Sequence, residues 1–182
     1  MNTANKLTLL RVVLVPFYMI FLLMPDFKFQ MIALAIFIIA SLTDMLDGQI
    51  ARKYNQITSF GKFVDPLADK MLTTAAFLVF LAQGLISVWA VMIILAREFM
   101  VAGVRLSAVT EGKVIAASFW GKLKTVSQMV VIIASTLILN ISVIPHDIAV
   151  LAINVMVWIS VAFTALSGLD YLIKNRSLLK LK

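Results

Sequence analysis

Long apolar runs broken by short polar joints organise the chain. A bilayer-crossing helix needs about 20 consecutive apolar residues, and six such runs recur, at residues 7–23, 30–51, 61–83, 87–109, 122–139 and 148–172. The joints carry turn chemistry: Met24-Pro25-Asp26 breaks the first run from the second, and Gly84 breaks the third from the fourth. The pattern predicts an all-α, polytopic membrane protein with six transmembrane helices. So little chain remains between the runs that residues 1–182 read as a single membrane domain. The first run lacks a small-x-small cleavage site, so it reads as a retained helix rather than a signal peptide. Neither a low-complexity segment nor an inverted internal repeat is present.

Composition agrees with the pattern. Of 182 residues, 62% are hydrophobic and 14% charged, far from the balance of a soluble domain. Cysteine is absent, which excludes disulfides and thiolate metal ligands. The net charge of +7 would suit a nucleic-acid binder, but its distribution argues against that partner. Lys6, Arg11, Arg52, Lys53, Lys62, Arg105, Lys113, Lys122, Lys124, Lys174, Arg176, Lys180 and Lys182 fall at the N-terminus, in the second and fourth joints, or at the C-terminus. The alternate joints carry only Lys28. By the positive-inside rule both termini and the basic joints face the cytoplasm, where they meet anionic lipid headgroups and anionic solutes.

One polar stretch does not fit a simple joint. Residues 41–70, SLTDMLDGQIARKYNQITSFGKFVDPLADK, place Asp44 and Asp47 at the cytoplasmic end of the second run and Asp65 and Asp69 at the start of the third. At about 1.5 Å per residue, Asp44 and Asp69 lie about 12 Å from the cytoplasmic ends of their helices, and Asp47 and Asp65 about 6–8 Å. Helical spacing puts Asp44, Asp47, Gly48, Ala51 and Arg52 on one broad face and Gly61, Asp65 and Asp69 on another. Carboxylates gathered in a low-dielectric setting repel one another and stay ionised only with compensating positive charge. An all-oxygen donor set without His or Cys favours hard cations, Mg²⁺ or Mn²⁺, and two of them suit four carboxylates. Such ions complete their shells with water and phosphate oxygens, which points to phosphoryl chemistry. Pairing of the aspartates with Arg52, Lys62 and Lys70 to hold helices together is the plainer alternative. Ionisable residues inside a bilayer nevertheless mark functional sites by default.

These residues resemble the signature of the CDP-alcohol phosphatidyltransferases, D-x-x-D-G-x-x-A-R, eight residues, G-x-x-x-D-x-x-x-D. Asp44, Asp47, Gly48, Ala51, Arg52, Gly61, Asp65 and Asp69 stand at its positions with the spacer intact. The resemblance implies a six-helix fold and transfer of a phosphoalcohol group from a CDP-linked donor, with release of CMP and with two divalent cations as cofactors. It implies that Asp44, Asp47, Asp65 and Asp69 bind metal, and that Asp69 also deprotonates the attacking hydroxyl. It further assigns Gly48, Arg52 and Gly61 to the cytidine diphosphate, and implies a homodimer. Asn5, Thr8 and Arg11 resemble the family's N-x-x-T-x-x-R stretch near the nucleotide; an N-cap and an interfacial arginine account for them nearly as well.

The acceptor must be read elsewhere. AREFMVAGVR sets Arg97 and Glu98 deep in the fourth run and Arg105 two turns nearer the cytoplasm, while SFWGKLKTVSQ opens the fifth with Lys122 and Lys124. Arg97 at mid-membrane needs a counter-charge, and Glu98 is not expected to supply it, because adjacent helical residues do not face each other. Arg105, Lys122 and Lys124 suit a phosphate clamp, although interfacial cations also snorkel without binding anything. Both stretches resemble the phosphatidylglycerophosphate synthase branch of the family. That implies CDP-diacylglycerol as donor, sn-glycerol 3-phosphate as acceptor, and an active site facing the cytoplasm in the cell membrane. Inositol phosphate, phosphatidylglycerol or serine remain alternative acceptors, and a divalent-cation transporter is the alternative of another class. His146 reads as a solvated turn residue, and Trp89 and Trp120 as interfacial anchors.

Overall fold

The computed structural model describes residues 3–53, 59–110 and 118–176, apart from the side chains of residues 3–7, 44–53, 59–67, 69 and 109–110. The described residues form six helices and no strand: α1 (Thr3–Leu23), α2 (Phe27–Lys53), α3 (Ser59–Ala82), α4 (Val88–Thr110), α5 (Phe119–Ile138) and α6 (His146–Lys174). Each apolar run becomes one helix, with its ends shifted by a few residues in either direction. Two of them, α5 and α6, are long and apolar enough to cross a membrane, and Thr8–Leu23, Phe27–Thr43 and Lys70–Ala82 form shorter apolar stretches. Helix α4 interrupts its apolar run with Arg97, Glu98 and Arg105. His146 opens α6 instead of lying in a turn. Pro145 precedes it, and its carbonyl accepts from the amides of Ile148 and Ala149 at 3.0 Å each, which starts the helix two residues before the first apolar position, Ile148.

The chain divides into two compact units, Met1–Gln83 and Gly84–Lys182. In the first, α1 packs against both α2 and α3, which touch each other only slightly among the described residues. The buried positions of α1, Thr8, Arg11, Val15, Tyr18 and Leu22, alternate steps of three and four residues, the seam expected of a helix lying between two neighbours. Tyr18 tilts against Phe37 with ring centroids 5.8 Å apart. Gln83 Nε2 donates to the Leu22 carbonyl at 3.0 Å, fastening the end of α3 to the end of α1. The opposite face of α1 leaves Leu10, Val13, Phe17 and Ile20 about half exposed. Such an apolar stripe suits lipid as its solvent.

In the second unit α4 and α5 both pack on α6, and among the described residues not on each other. Ser118 caps α5, its Oγ accepting from the Gly121 amide at 3.1 Å. Its interior is unusually polar: Lys124, Gln128, Ser135 and Thr136 of α5 and Ser160, Thr164 and Ser167 of α6 are buried. Small hydroxyl side chains let helices approach closely and link them without water. Ser127 and Ser160 share a hydrogen bond at 3.1 Å, and Gln128 Nε2 donates to Thr164 Oγ1 at 3.4 Å. Outward, Leu151, Val155, Ile159, Leu166 and Ile173 are exposed. A polar seam within the buried core, under an apolar exterior, departs from the arrangement of a water-soluble domain.

Candidate active site

The acidic signature belongs to the first unit. Asp44, Asp47, Gly48 and Arg52 lie on α2, and Gly61, Asp65 and Asp69 on α3. The side chains of the four aspartates and Arg52, and that of Asn5 on α1, lie outside the described residues. What is described is the wall beside them. Arg11 is 2% exposed, and its Nε donates to the Ala40 carbonyl of α2 at 3.3 Å, four residues before Asp44. Thr43 Oγ1 donates to the same carbonyl at 2.9 Å. The interfacial alternative for Arg11 is therefore set aside, since a snorkelling arginine would keep its head in water. Thr8 is 2% exposed and also faces inward, one turn along α1 from Arg11. The buried face of α1 thus presents hydrogen-bonding side chains to α2 just where its acidic segment begins.

The second unit holds a buried ion cluster. Arg97 Nη1 donates to Glu98 Oε1 at 3.2 Å, and Lys124 Nζ of α5 pairs with the same oxygen. Arg97 Nη2 donates to Ser167 Oγ of α6 at 2.6 Å. This corrects the expectation that Glu98 cannot answer Arg97. Their Cβ atoms do diverge by about 100° around the helix axis. Both side chains are long, however, and a buried charge finds its counter-charge by folding its head back along the helix. The side chains of Arg97, Glu98 and Lys124 are 12, 10 and 9% exposed. Lys124 is accordingly a buried, paired cation, unlike its companions in the expected clamp. Arg105 and Lys122 are exposed, and the Arg105 guanidinium lies 5.9 Å from the centre of the Tyr171 ring, which favours one orientation of its head.

Ser167 is the site-related residue that sequence reasoning passed over, and Glu98 the one whose partners it did not find. For α5 and α6 a signal was available: Lys124, Gln128 and Ser135 follow helical spacing, as do Ser160, Thr164 and Ser167. Two polar stripes on otherwise apolar helices predict that the stripes face protein. Nothing in one dimension says that Glu98 joins them, because its partner Lys124 lies on another helix.

A family model for CDP-alcohol phosphatidyltransferase matches residues 1–166, and the chain belongs to that family. It is 41% identical to a CDP-diacylglycerol–glycerol-3-phosphate 3-phosphatidyltransferase of Bacillus subtilis (strain 168), over 98% of this chain and 97% of the relative. A protein of the same description from Rickettsia typhi (strain ATCC VR-144 / Wilmington) is 34% identical over 93% and 94% of the two chains. A probable phosphatidylglycerophosphate synthase of Mycobacterium tuberculosis (strain ATCC 25618 / H37Rv) is 39% identical, over 93% and 79%. The matched segment runs through both structural units and includes both the acidic signature and the Arg97–Glu98–Lys124 cluster.

Proposed function

We propose that this protein transfers the phosphatidyl group of CDP-diacylglycerol to sn-glycerol 3-phosphate, giving phosphatidylglycerophosphate and CMP. The similarity to the Bacillus subtilis enzyme over nearly the whole of both chains carries this reading. In it, Asp44, Asp47, Asp65 and Asp69 hold two divalent cations, Mg²⁺ or Mn²⁺; the hard all-oxygen donor set fits these ions. When bound, the ions supply charge neutralisation at the donor's diphosphate. Asp69 takes the proton from the acceptor hydroxyl as its oxygen bonds to the phosphorus that carries the diacylglycerol. The bond from that phosphorus to the CMP oxygen breaks, and CMP leaves with the electron pair. Gly48 and Gly61 leave room for the cytidine diphosphate beside Arg52, Asn5 and Thr8.

Arg105, Lys122 and Lys124 bind the phosphate of the acceptor, a group that a neutral alcohol such as serine would not bring. The protein works as a homodimer in the cell membrane and crosses it six times, with both termini and the active site on the cytoplasmic side. The charge asymmetry of its joints supports that orientation. The test is purified protein in detergent with Mg²⁺, radiolabelled CDP-diacylglycerol and a panel of acceptors. Labelled phosphatidylglycerophosphate from glycerol 3-phosphate, with little product from serine or inositol, is the expected result. Preferred use of a neutral acceptor would overturn the assignment of substrate while leaving the family untouched.

A further inference from the structure

Resting on the functional reading above, we propose that Glu98 is a positioning residue: it holds Lys124, through a shared carboxylate oxygen with Arg97, in the place from which that lysine receives the acceptor's phosphate. The geometry carries the idea. Helices α4 and α5 lean on α6 and not on each other among the described residues, and the Glu98–Lys124 pair crosses between them. On the other side of the carboxylate, Arg97 is immobilised. Its Nη2 donates to Ser167 at 2.6 Å. A Cβ built on Gly121 would stand 3.7 Å from that Nη2, and one on Gly168 would stand 3.2 Å from Arg97 Cγ. Gly168 thus leaves a slot for the stem of the arginine, and Gly121 stands at ordinary contact distance from its head. A fixed guanidinium fixes Glu98, and Glu98 fixes Lys124.

Stability alone is a poor reason for such a cluster. Buried ion pairs are often no more stabilising than well-packed apolar side chains of the same volume. What a cluster does supply is geometry: a lysine head on a flexible four-carbon stem is confined to one place before ligand arrives. A phosphate that meets a pre-placed ammonium avoids the ordering cost of finding it. The expected signature is therefore selective for the acceptor.

Glu98→Gln should raise the KM for glycerol 3-phosphate about tenfold while the KM for CDP-diacylglycerol stays within about twofold. Glu98→Asp, which keeps the charge on a shorter arm, should recover part of that loss. The decisive variant is Arg97→Gln/Glu98→Gln, which removes one charge of each sign. It should restore the melting temperature in detergent towards wild type yet leave the acceptor KM raised, because Lys124 has lost its holder. If Glu98→Gln fails to fold, the double variant and Glu98→Asp carry the comparison. Parallel increases in both KM values, or a normal acceptor KM in the double variant, would overturn the proposal. A wild type that does not turn over glycerol 3-phosphate would fail the functional reading first, and would be recognised before any substitution was made.

Discussion

A carboxylate can be a ligand, a base or a structural counter-ion, and this chain divides these roles between a glutamate and its aspartates. Glu98 is a counter-ion, shared by a guanidinium and an ammonium and almost closed to solvent. The four aspartates of α2 and α3 are proposed to divide between ligand and base. If so, their substitutions separate in binding and not only in rate. Asp44→Asn and Asp69→Asn should each lower turnover by at least about a hundredfold while the protein still inserts and melts near wild type. Titration with CDP-diacylglycerol in Mg²⁺ should then show the weaker donor binding in Asp44→Asn, since a base acts on the acceptor hydroxyl and a pure ligand helps hold the diphosphate. Equal loss of donor affinity in the two variants would remove the special role of Asp69.

Between helices, close approach sets the constraint. Gly168 of α6 has no room to spare: a Cβ there would lie 3.2 Å from both Arg97 Cγ and Met100 Cε of α4. Met100 can swing its terminal methyl aside. Arg97 cannot follow, because its head is pinned by Ser167 and Glu98. Gly168→Leu should therefore destabilise the second unit by about 1–3 kcal/mol, the usual cost of overpacking, seen as a lower melting temperature in detergent. Arg97→Ala removes the Cγ that obstructs, so the combined variant should lose less than the two single losses added together. Additive losses would mean that the two residues do not meet. Much of this level was legible in the sequence. The runs at 7–23 and 122–139 became α1 and α5 with ends shifted by only a few residues, because a bilayer-length apolar run leaves little else for the chain to form. The packing partners were not legible. That α1 lies against both α2 and α3, and that Lys124 meets Glu98 across two helices, depends on rotation about helix axes. Apolar runs constrain such rotation weakly, because lipid and protein interior solvate them almost alike. The aspartate spacing was fully legible, since a signature is a property of order along the chain.

For the whole molecule, the decisive quantity is which joints face the cytoplasm, and it is set by charge more than by shape. Arg52, Lys53 and Lys62 cluster near the α2–α3 joint and Lys113, Lys122 and Lys124 near the α4–α5 joint, whereas the α5–α6 joint carries no lysine or arginine. Moving a basic joint across a membrane is opposed by desolvation, and in cells also by the potential, so the proposed orientation puts the α5–α6 joint outside and the C-terminus inside. The absence of cysteine makes this directly measurable. Val143, 87% exposed in the α5–α6 joint, and Ser177, beyond α6, are suitable positions for single cysteines. A membrane-impermeant maleimide added to intact spheroplasts should label the Val143→Cys protein at once and the Ser177→Cys protein only after permeabilisation. The reverse order would turn the molecule over, carrying the aspartates of α2 and α3 to the side where CMP has no pool to join. Labelling of both positions from outside would place an even number of crossings between them, so that α6 would not span the membrane as a single unbroken helix. The expected pattern would place the α5–α6 joint outside and the C-terminus on the cytoplasmic side, as the proposed orientation requires.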